Sequence, residues 1–270
     1  MIQDILGMAL AAGVLAALAS GVVGSFVVAK RIAFLAGSIS HSILGGMGFC
    51  LWLQRSYGIA WLDPMIGAFG AALISAWLIG WIHLRFRQRE DALIAAVWST
   101  GTAIGVIFIS LTPGTNVDLI NFLFGNILWV GHSDLLWLVC LDVAILFLVG
   151  WFYRPFLALC YDEEQATLQG VPVRRYYLLL LSLLALSIVV LVQVIGTLLV
   201  ITLLTLPAML ASLFTQRFLR LIGLSIFLSA LFSLLGLGIS YRMDWPPGAT
   251  IALTAAACYL FGLTSSRVNR

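Results

Sequence analysis

Residues 176–216 read YYLLLLSLLALSIVVLVQVIGTLLVITLLTLPAMLASLFTQ and contain no formally charged side chain. A helix needs about 20 apolar residues to cross the hydrocarbon core of a bilayer, so this stretch is too long for a single crossing. A division near Gln193–Gly196 leaves two segments of suitable length. The stretch therefore predicts two consecutive membrane-spanning helices.

The rest of the chain has the same character. Of its 270 residues, 62% are hydrophobic and only 9% are charged, and the mean hydropathy is +1.11. This composition excludes a water-soluble domain, which needs more polar surface to cover its core. Seven further apolar stretches are Ile5–Ala29, Ile32–Gln54, Pro64–Ile82, Ala92–Val117, Leu135–Tyr153, Leu221–Tyr241 and Trp245–Ser266. We predict an all-α polytopic membrane protein with nine spans, or eight if a shorter one is re-entrant, forming a single domain over residues 1–270.

One apolar segment is too short to cross. Leu119–Gly131 reads LINFLFGNILWVG, and we interpret it as a re-entrant or half helix on the outer side that ends near Gly131. The loops between the apolar stretches are also short. They leave no room for a soluble catalytic domain or a nucleotide site, so the function must be carried by membrane helices and short loops.

The basic residues indicate the orientation. If the N-terminus lies outside and the spans alternate, only Arg55 and Arg242 of the 14 basic residues fall outside. The other twelve fall on the cytoplasmic side, as the positive-inside rule requires. They are Lys30, Arg31, Arg85, Arg87, Arg89, Arg154, Arg174, Arg175, Arg217, Arg220, Arg267 and Arg270. The C-terminus is therefore predicted to be cytoplasmic, and scattered single and paired cations do not indicate nucleic-acid binding.

A histidine lies in the middle of the second apolar stretch. His41 is at the centre of GSISHSILGG (37–46), about ten residues into the span, with Gly37 and Ser38 on its preceding turn. Ionisable groups within a bilayer are costly, and a neutral imidazole is a ligand for zinc, manganese or iron. The alternative is a histidine hydrogen-bonded at a tight helix crossing, with the small residues forming the contact.

Other ionisable residues are weaker candidates. Asp142 lies about a third of the way into its span, where it either takes part in cargo movement or bonds a neighbouring helix. His83 is expected near the cytoplasmic interface, and His132 lies in an outer turn. His41 with Asp142 leaves open an acid–base pair, although the sequence has no HExxH motif and no compelling Ser-His-Asp order.

Two features mark the cytoplasmic side. Asp162–Pro172 (DEEQATLQGVP) predicts a short amphipathic helix with an acidic start that ends near Gly170. Farther along, Pro207 is predicted to break its helix and to start a short helix along the membrane surface, which a soluble partner could bind. An ordinary helix kink is the alternative.

Five segments in one order resemble the manganese/zinc/iron-chelate permease family of ABC importers, most closely its zinc-permease type. They are GSFVVAKRIAFLAGSISHSILGG (24–46), VDLINFLFGNIL (117–128), DEEQATLQGV (162–171), IGTLLVITLLTLPAMLASLF (195–214) and DWPPGATIALTAAACYLF (244–261). The resemblance runs nearly from end to end.

The resemblance implies a homodimeric permease in the bacterial inner membrane, with its pathway at the dimer interface. An extracytoplasmic metal-binding protein would dock outside, and separate cytoplasmic ATPase subunits would drive alternating access. The permease itself would then be no enzyme and would hold no permanent cofactor, only the transported divalent metal. His41 matches the family histidine at the central metal site, and Asp118 and Gly125 match the signature of the outer half helix. Pro207 and the residues after it, Ala208, Ser212 and Arg217, match the family's coupling region.

The sequence departs from the family at one site position. Family members commonly carry an Asp one turn before this histidine, and here that position is Gly37, next to Ser38. A lone imidazole binds a divalent cation weakly. Either Asp142 or another group replaces the missing acid, or the cation passes through a looser site, or the cargo differs. The chain's predicted pathway residues are therefore His41, Ser38, Asp142 and Asp118.

Three functions follow from these observations. The main prediction is the membrane-spanning subunit of an ATP-driven importer of a divalent transition metal. Zinc or manganese is favoured over iron as the cargo. The first alternative is a proton-coupled secondary transporter that uses His41 and Asp142 as a relay. The second is an intramembrane enzyme. A cytoplasmic docking region favours the importer, because neither rival needs one.

Overall fold

The computed structural model describes residues 2–59, 61–86, 90–113, 125 and 127–268. Within these residues the secondary structure is helical throughout, and a short 3-10 turn at Ile127–Trp129 precedes α5. The α-helices are α1 (Ile2–Ala29), α2 (Ala33–Tyr57), α3 (Pro64–Phe86), α4 (Glu90–Leu111), α5 (His132–Trp151), α6 (Tyr153–Tyr161), α7 (Glu163–Leu168), α8 (Val173–Ile195), α9 (Thr197–Phe214), α10 (Phe218–Met243) and α11 (Pro247–Val268). Nine of the described helices are long and apolar enough to cross a bilayer, namely all except α6 and α7. The predicted all-α polytopic fold is confirmed.

The chain divides into two compact units, each made of separate segments. The first comprises Met1–Ala33, Ile120–Tyr161 and Val190–Arg270, and the second comprises Phe34–Leu119 and Asp162–Val189. A single permease domain over the whole chain stays a prediction.

In the first unit, α1 packs along α10 with the two helices antiparallel. The Ser20 hydroxyl lies 3.1 Å from that of Ser229, and the Ser25 hydroxyl donates to Ser225 at 3.2 Å. Between these pairs, a Cβ on Gly21 would lie 2.6 Å from Cα of Ile226, so the backbones are in contact. Small residues allow this close approach. The van der Waals contacts and hydrogen bonds that result hold the helices together, because the hydrophobic effect gives no driving force between helices in lipid.

In the second unit, α2 contacts both α3 and α4. Gly46 and Cys50 of α2 lie against Gly67 of α3, and Gly46 also meets Ala71, which makes these helices antiparallel. Contacts between α2 and α4 keep a nearly constant separation along the sequence, so these two helices run in the same direction. Their contacting pairs are Ser38 with Ile94, His41 with Trp98, Gly45 with Gly101 and Gly48 with Gly105. This is the order that three alternating spans produce.

The predicted division of the long apolar stretch is confirmed. Helix α8 ends at Ile195 and α9 begins at Thr197, with Gly196 between them at φ +81°. Glycine is suited to this left-handed conformation because it has no Cβ. Gly125 (φ +64°) lies directly against the Ile195–Gly196 peptide, where any Cβ would overlap the backbone. Gly125, which lies in the predicted outer segment Leu119–Gly131, therefore contacts the chain at the break between α8 and α9.

The predicted helix break at Pro207 is wrong. Helix α9 continues through Pro207 to Phe214, and α10 follows after only Thr215–Arg217, so no surface helix follows the proline. Pro207 removes one backbone donor, but a membrane helix tolerates this where its neighbours pack against it, and Pro207 is buried. The short helices of the described chain are α6 and α7 instead. Helix α7 matches the predicted acidic helix: Asp162 accepts from the backbone N–H of Glu164 and Gln165 at 2.9 Å, and Gly170 adopts φ +80°.

Candidate functional site

The candidate metal site is built around His41 on α2. Its side chain is half-buried, and its imidazole is stacked on the indole of Trp98 from α4. The ring centroids are 4.6 Å apart and the ring planes differ by 15°. This offset parallel arrangement is a favourable one for aromatic rings. The structure thus gives His41 an immediate neighbour that lies far from it in the sequence.

The backbones on either side hold the two rings in place. The buried Ser38 hydroxyl donates to the carbonyl of Ile94 at 3.0 Å, one turn before the stacked pair. One turn after it, a Cβ on Gly45 would lie 2.8 Å from the carbonyl oxygen of Gly101. The separation of α2 and α4 is therefore fixed by backbone contact. This separation also fixes the distance between the two rings.

Both imidazole nitrogens of His41 are uncommitted within the described part of the chain, since no hydrogen bond there involves them. Stacking occupies the face of a ring, whereas its nitrogens point outward in the ring plane, so either one can bind a cation. No group of three or more His, Cys, Asp or Glu side chains that could hold a metal ion occurs among the described residues. The arrangement is that of a positioned single imidazole and not of a closed metal site.

Three further residues were predicted to line the pathway. Asp142, on α5 in the first unit, is only 4% exposed and lies against the backbone at Ala19 of α1. Ser38 is fully buried, and its hydroxyl donates a hydrogen bond to the carbonyl of Ile94. Asp118 lies outside the described residues. Roles for these three in moving a cation stay predictions.

The predicted coupling region has a buried part and an exposed part. Pro207 and Ala208 are buried within α9, whereas Ser212 is exposed and donates to the carbonyl of Met209. Arg217 is also exposed and precedes the first turn of α10. Only the exposed part offers a surface to another protein.

A cleft of about 480 Å³ adjoins this exposed part of the coupling region. Tyr153, Tyr161, Arg217 and Arg220 are among the residues that line it. Burial raises the pKa of the Tyr153 phenol, and the neighbouring Tyr161 raises it further. The phenol therefore stays neutral at physiological pH, and the cleft presents two arginine cations.

His83 belongs to a second cleft, of about 970 Å³, between the end of α3 and α7. Its Nε2 lies 4.0 Å from Oε1 of Glu163, and its ring centroid is 5.0 Å from that of Tyr177 on α8. Arg174 and Arg175 also line this cleft. The interfacial position expected for His83 stays a prediction.

Sequence reasoning missed Trp98. The signal was present, because Trp98 begins WSTGTAIG (98–105), which is as rich in small and hydroxylated residues as the segment around His41. Two such segments in neighbouring spans favour a close helix pair.

Comparisons with known proteins identify the family. The model of the ABC 3 transport family matches residues 2–266. A probable metal transport system membrane protein of Chlamydia pneumoniae is 46% identical over 92% of this chain and 84% of its own. The manganese transport system membrane protein MntC of Halalkalibacterium halodurans is 31% identical over 94% of this chain and 85% of its own.

A solved structure agrees with these relatives. A chain of PsaBC from Streptococcus pneumoniae, determined in complex with a Fab, is 33% identical and superposes with a TM-score of 0.82 over 96% of this chain and 90% of that one. An inward-facing putative metal-chelate type ABC transporter shares the fold at 17% identity, with a TM-score of 0.71. The resemblance drawn from the five sequence segments is confirmed, and the chain belongs to the ABC 3 transport family, the membrane permeases of metal ABC transporters.

Proposed function

We propose that this permease carries a divalent transition metal inward by alternating access, with His41 as the cation ligand contributed by α2. The observation that carries the proposal is a half-buried imidazole with both nitrogens uncommitted, held in the middle of a membrane helix by backbone contacts. An ionisable group is costly to place within a bilayer, so its presence there indicates a functional role. Manganese is the preferred cargo because relatives that share about 30% of the sequence are named for manganese transport, and zinc is the second choice.

The proposed assembly contains two copies of this chain in a bacterial inner membrane, with the C-terminus in the cytoplasm. ATP hydrolysis takes place on a separate cytoplasmic subunit, which docks at the exposed part of the coupling region around Ser212 and Arg217. A metal-binding protein delivers the cation from outside. The short loops of the chain support this division of labour, because they leave no room for a nucleotide site.

Uptake measurements test the role of His41. Cells of the bacterium that makes this protein would carry either wild-type chain or His41→Ala, and uptake of radioactive Mn²⁺ and Zn²⁺ would be measured at matched protein levels. We expect His41→Ala to lower the uptake rate at least about tenfold, since even the loss of a group that supports a metal ligand typically costs about 10- to 100-fold in affinity or activity. Ser40→Ala is the matched control, because the Ser40 hydroxyl next to His41 donates to the carbonyl of Ala36 in its own helix. Normal uptake of both metals by His41→Ala would remove His41 from the pathway.

The energy source separates this proposal from a proton-coupled transporter. Deletion of the partner ATPase should abolish uptake, whereas a protonophore applied with ATP maintained should leave most of it. The opposite pair of results would support the secondary transporter that uses His41 and Asp142. Turnover of a substrate by the purified chain alone would instead support an enzyme.

A further inference from the structure

Trp98 is the side chain that covers one face of the His41 imidazole. We propose that Trp98 is a positioning residue for the transported cation: its indole face holds the His41 ring in one orientation and stabilises that ring when a divalent cation is bound to it. This inference rests on the proposed function of His41 as the cation ligand. It adds a residue from α4 to a site that the sequence assigned to α2.

The geometry of the stack supports the orienting role. With planes 15° apart and centroids 4.6 Å apart, the imidazole cannot turn about its Cβ–Cγ bond without colliding with the indole. Both nitrogens remain at the free edge of the ring, since the stack uses only its face. A ligand held in one orientation loses less freedom when it binds a cation, so binding is stronger.

The electrostatics of the stack support the stabilising role. The face of an indole is electron-rich and attracts a positive charge, and Trp is the best of the aromatic side chains in this respect. A neutral imidazole gains little from this attraction. An imidazole that carries a divalent cation gains more, so the stack favours the cation-bound form by about 3- to 30-fold in Kd.

The surrounding sequence makes this contribution relevant. Helix α2 contains no Asp or Glu, and the acids of α4 are confined to its first two positions, Glu90 and Asp91. Of these two helices, it is the indole of Trp98 that places a negative electrostatic surface directly against His41. It partly replaces the carboxylate that Gly37 cannot provide.

Contacts on both sides of the ring stack hold α2 and α4 together independently of Trp98. Ser38 bonds Ile94 before it, and Gly45 meets Gly101 after it. A change in the side chain at position 98 should thus alter the environment of His41 without separating the two helices. This allows Trp98 variants to report on the cation and not only on folding.

Equilibrium dialysis tests the proposal on the purified full-length chain in lipid nanodiscs. Binding of Mn²⁺ and of Zn²⁺, each added as its chloride, would be measured for wild-type protein, Trp98→Leu, Trp98→Phe and His41→Ala. Leu keeps apolar bulk without an aromatic face, and Phe keeps the face. We expect Trp98→Leu to raise Kd about 3- to 30-fold and Trp98→Phe to raise it less than about threefold. Trp77→Leu is the matched control, because Trp77 is an exposed tryptophan of the same unit whose indole donates to Ser182 and, among the described residues, forms no ring contact with His41.

Fluorescence tests independently whether the cation binds beside Trp98. Mn²⁺ quenches a nearby indole, and the chain contains nine tryptophans, so the Mn²⁺-dependent quenching lost in Trp98→Phe reports the contribution of Trp98. We expect most of the saturable quenching to vanish in Trp98→Phe and in His41→Ala, and to persist in Trp77→Leu.

The outcomes separate the two proposals. If Trp98→Leu binds both metals as wild type does, or if Trp98→Phe is as weak as Trp98→Leu, the role of the indole face is overturned while His41 can still be the ligand. If His41→Ala binds both metals normally, the proposed site itself is overturned. A Trp98→Leu protein that fails to fold would leave the test to Trp98→Phe, whose retained affinity and lost quenching support the inference and whose unchanged quenching overturns it.

Discussion

Gly46 of α2 and Gly67 of α3 lie so close that a Cβ on either one would overlap the carbonyl oxygen of the other. The contact is reciprocal and made by backbone atoms, so no side chain can turn aside to relieve an added methyl group. It fixes the approach of α3 to the helix that carries His41.

Gly46→Ala should therefore destabilise the protein. Overpacking at a rigid contact costs about 1–3 kcal/mol, and here the helices must separate to admit the methyl group. We expect a lower thermal midpoint for the purified protein. Fluorescence-detected size-exclusion chromatography of heated samples measures this midpoint. Gly70→Ala on α3 is the control, because no atom lies within 4 Å of the Cβ it would add. Equal midpoints for the two variants would contradict the observed contact.

Gly125→Ala tests the contact between the outer segment and the α8–α9 break. Gly125 and Gly58 have nearly the same positive φ, +64° and +68°, so alanine costs about 1 kcal/mol of backbone strain at either position. Only at Gly125 does the new Cβ also meet the backbone of Ile195 and Gly196. Gly125→Ala should thus lose clearly more stability and more metal uptake than Gly58→Ala. Similar losses would mean that strain alone accounts for the effect.

Asp142→Asn separates a transport role for the carboxylate from a packing role. The side chain is buried against α1, and Asn has nearly the same shape, so we expect normal protein levels and a normal thermal midpoint. If the carboxylate helps to move the cation, uptake of Mn²⁺ should fall at least about tenfold at those levels, as the loss of a positioned group at a metal site commonly does. Unchanged uptake would remove Asp142 from the pathway and leave it as a group that bonds a neighbouring helix.

Gly37→Asp restores the acid that the family commonly carries one turn before the histidine. A second, anionic ligand should lower the Kd for Mn²⁺ at least about tenfold or change the preference between Mn²⁺ and Zn²⁺. Gly37→Asn controls for size, because it adds the same bulk without the charge. Identical binding by the Asp variant and wild type, with both proteins folded, would indicate that this face of α2 does not see the cation.

Much of the architecture could be predicted because its cause is local in the sequence. Ile5–Ala29 must form a helix in a bilayer wherever its neighbours lie, since every backbone polar group needs a partner inside the segment. The break near Gly196 was predicted from the length of one uncharged stretch, and the short helix after Asp162 was predicted from its acidic start. Both of these signals are local. Pro207 misled the same reasoning, because whether a proline ends a membrane helix depends on what packs around it.

The sequence by itself determined the all-α membrane-spanning character of the chain, a span count of nine or eight, and the position of one imidazole within the second span. Only the tertiary structure decided that this imidazole meets Trp98, that Gly46 meets Gly67, and that Asp142 rests on α1. The physical reason is that lipid is as apolar as leucine, so hydropathy shows which segments enter the membrane but not which faces touch. Those contacts depend on the shapes of residues far apart in the chain, and they decide which side chains surround His41.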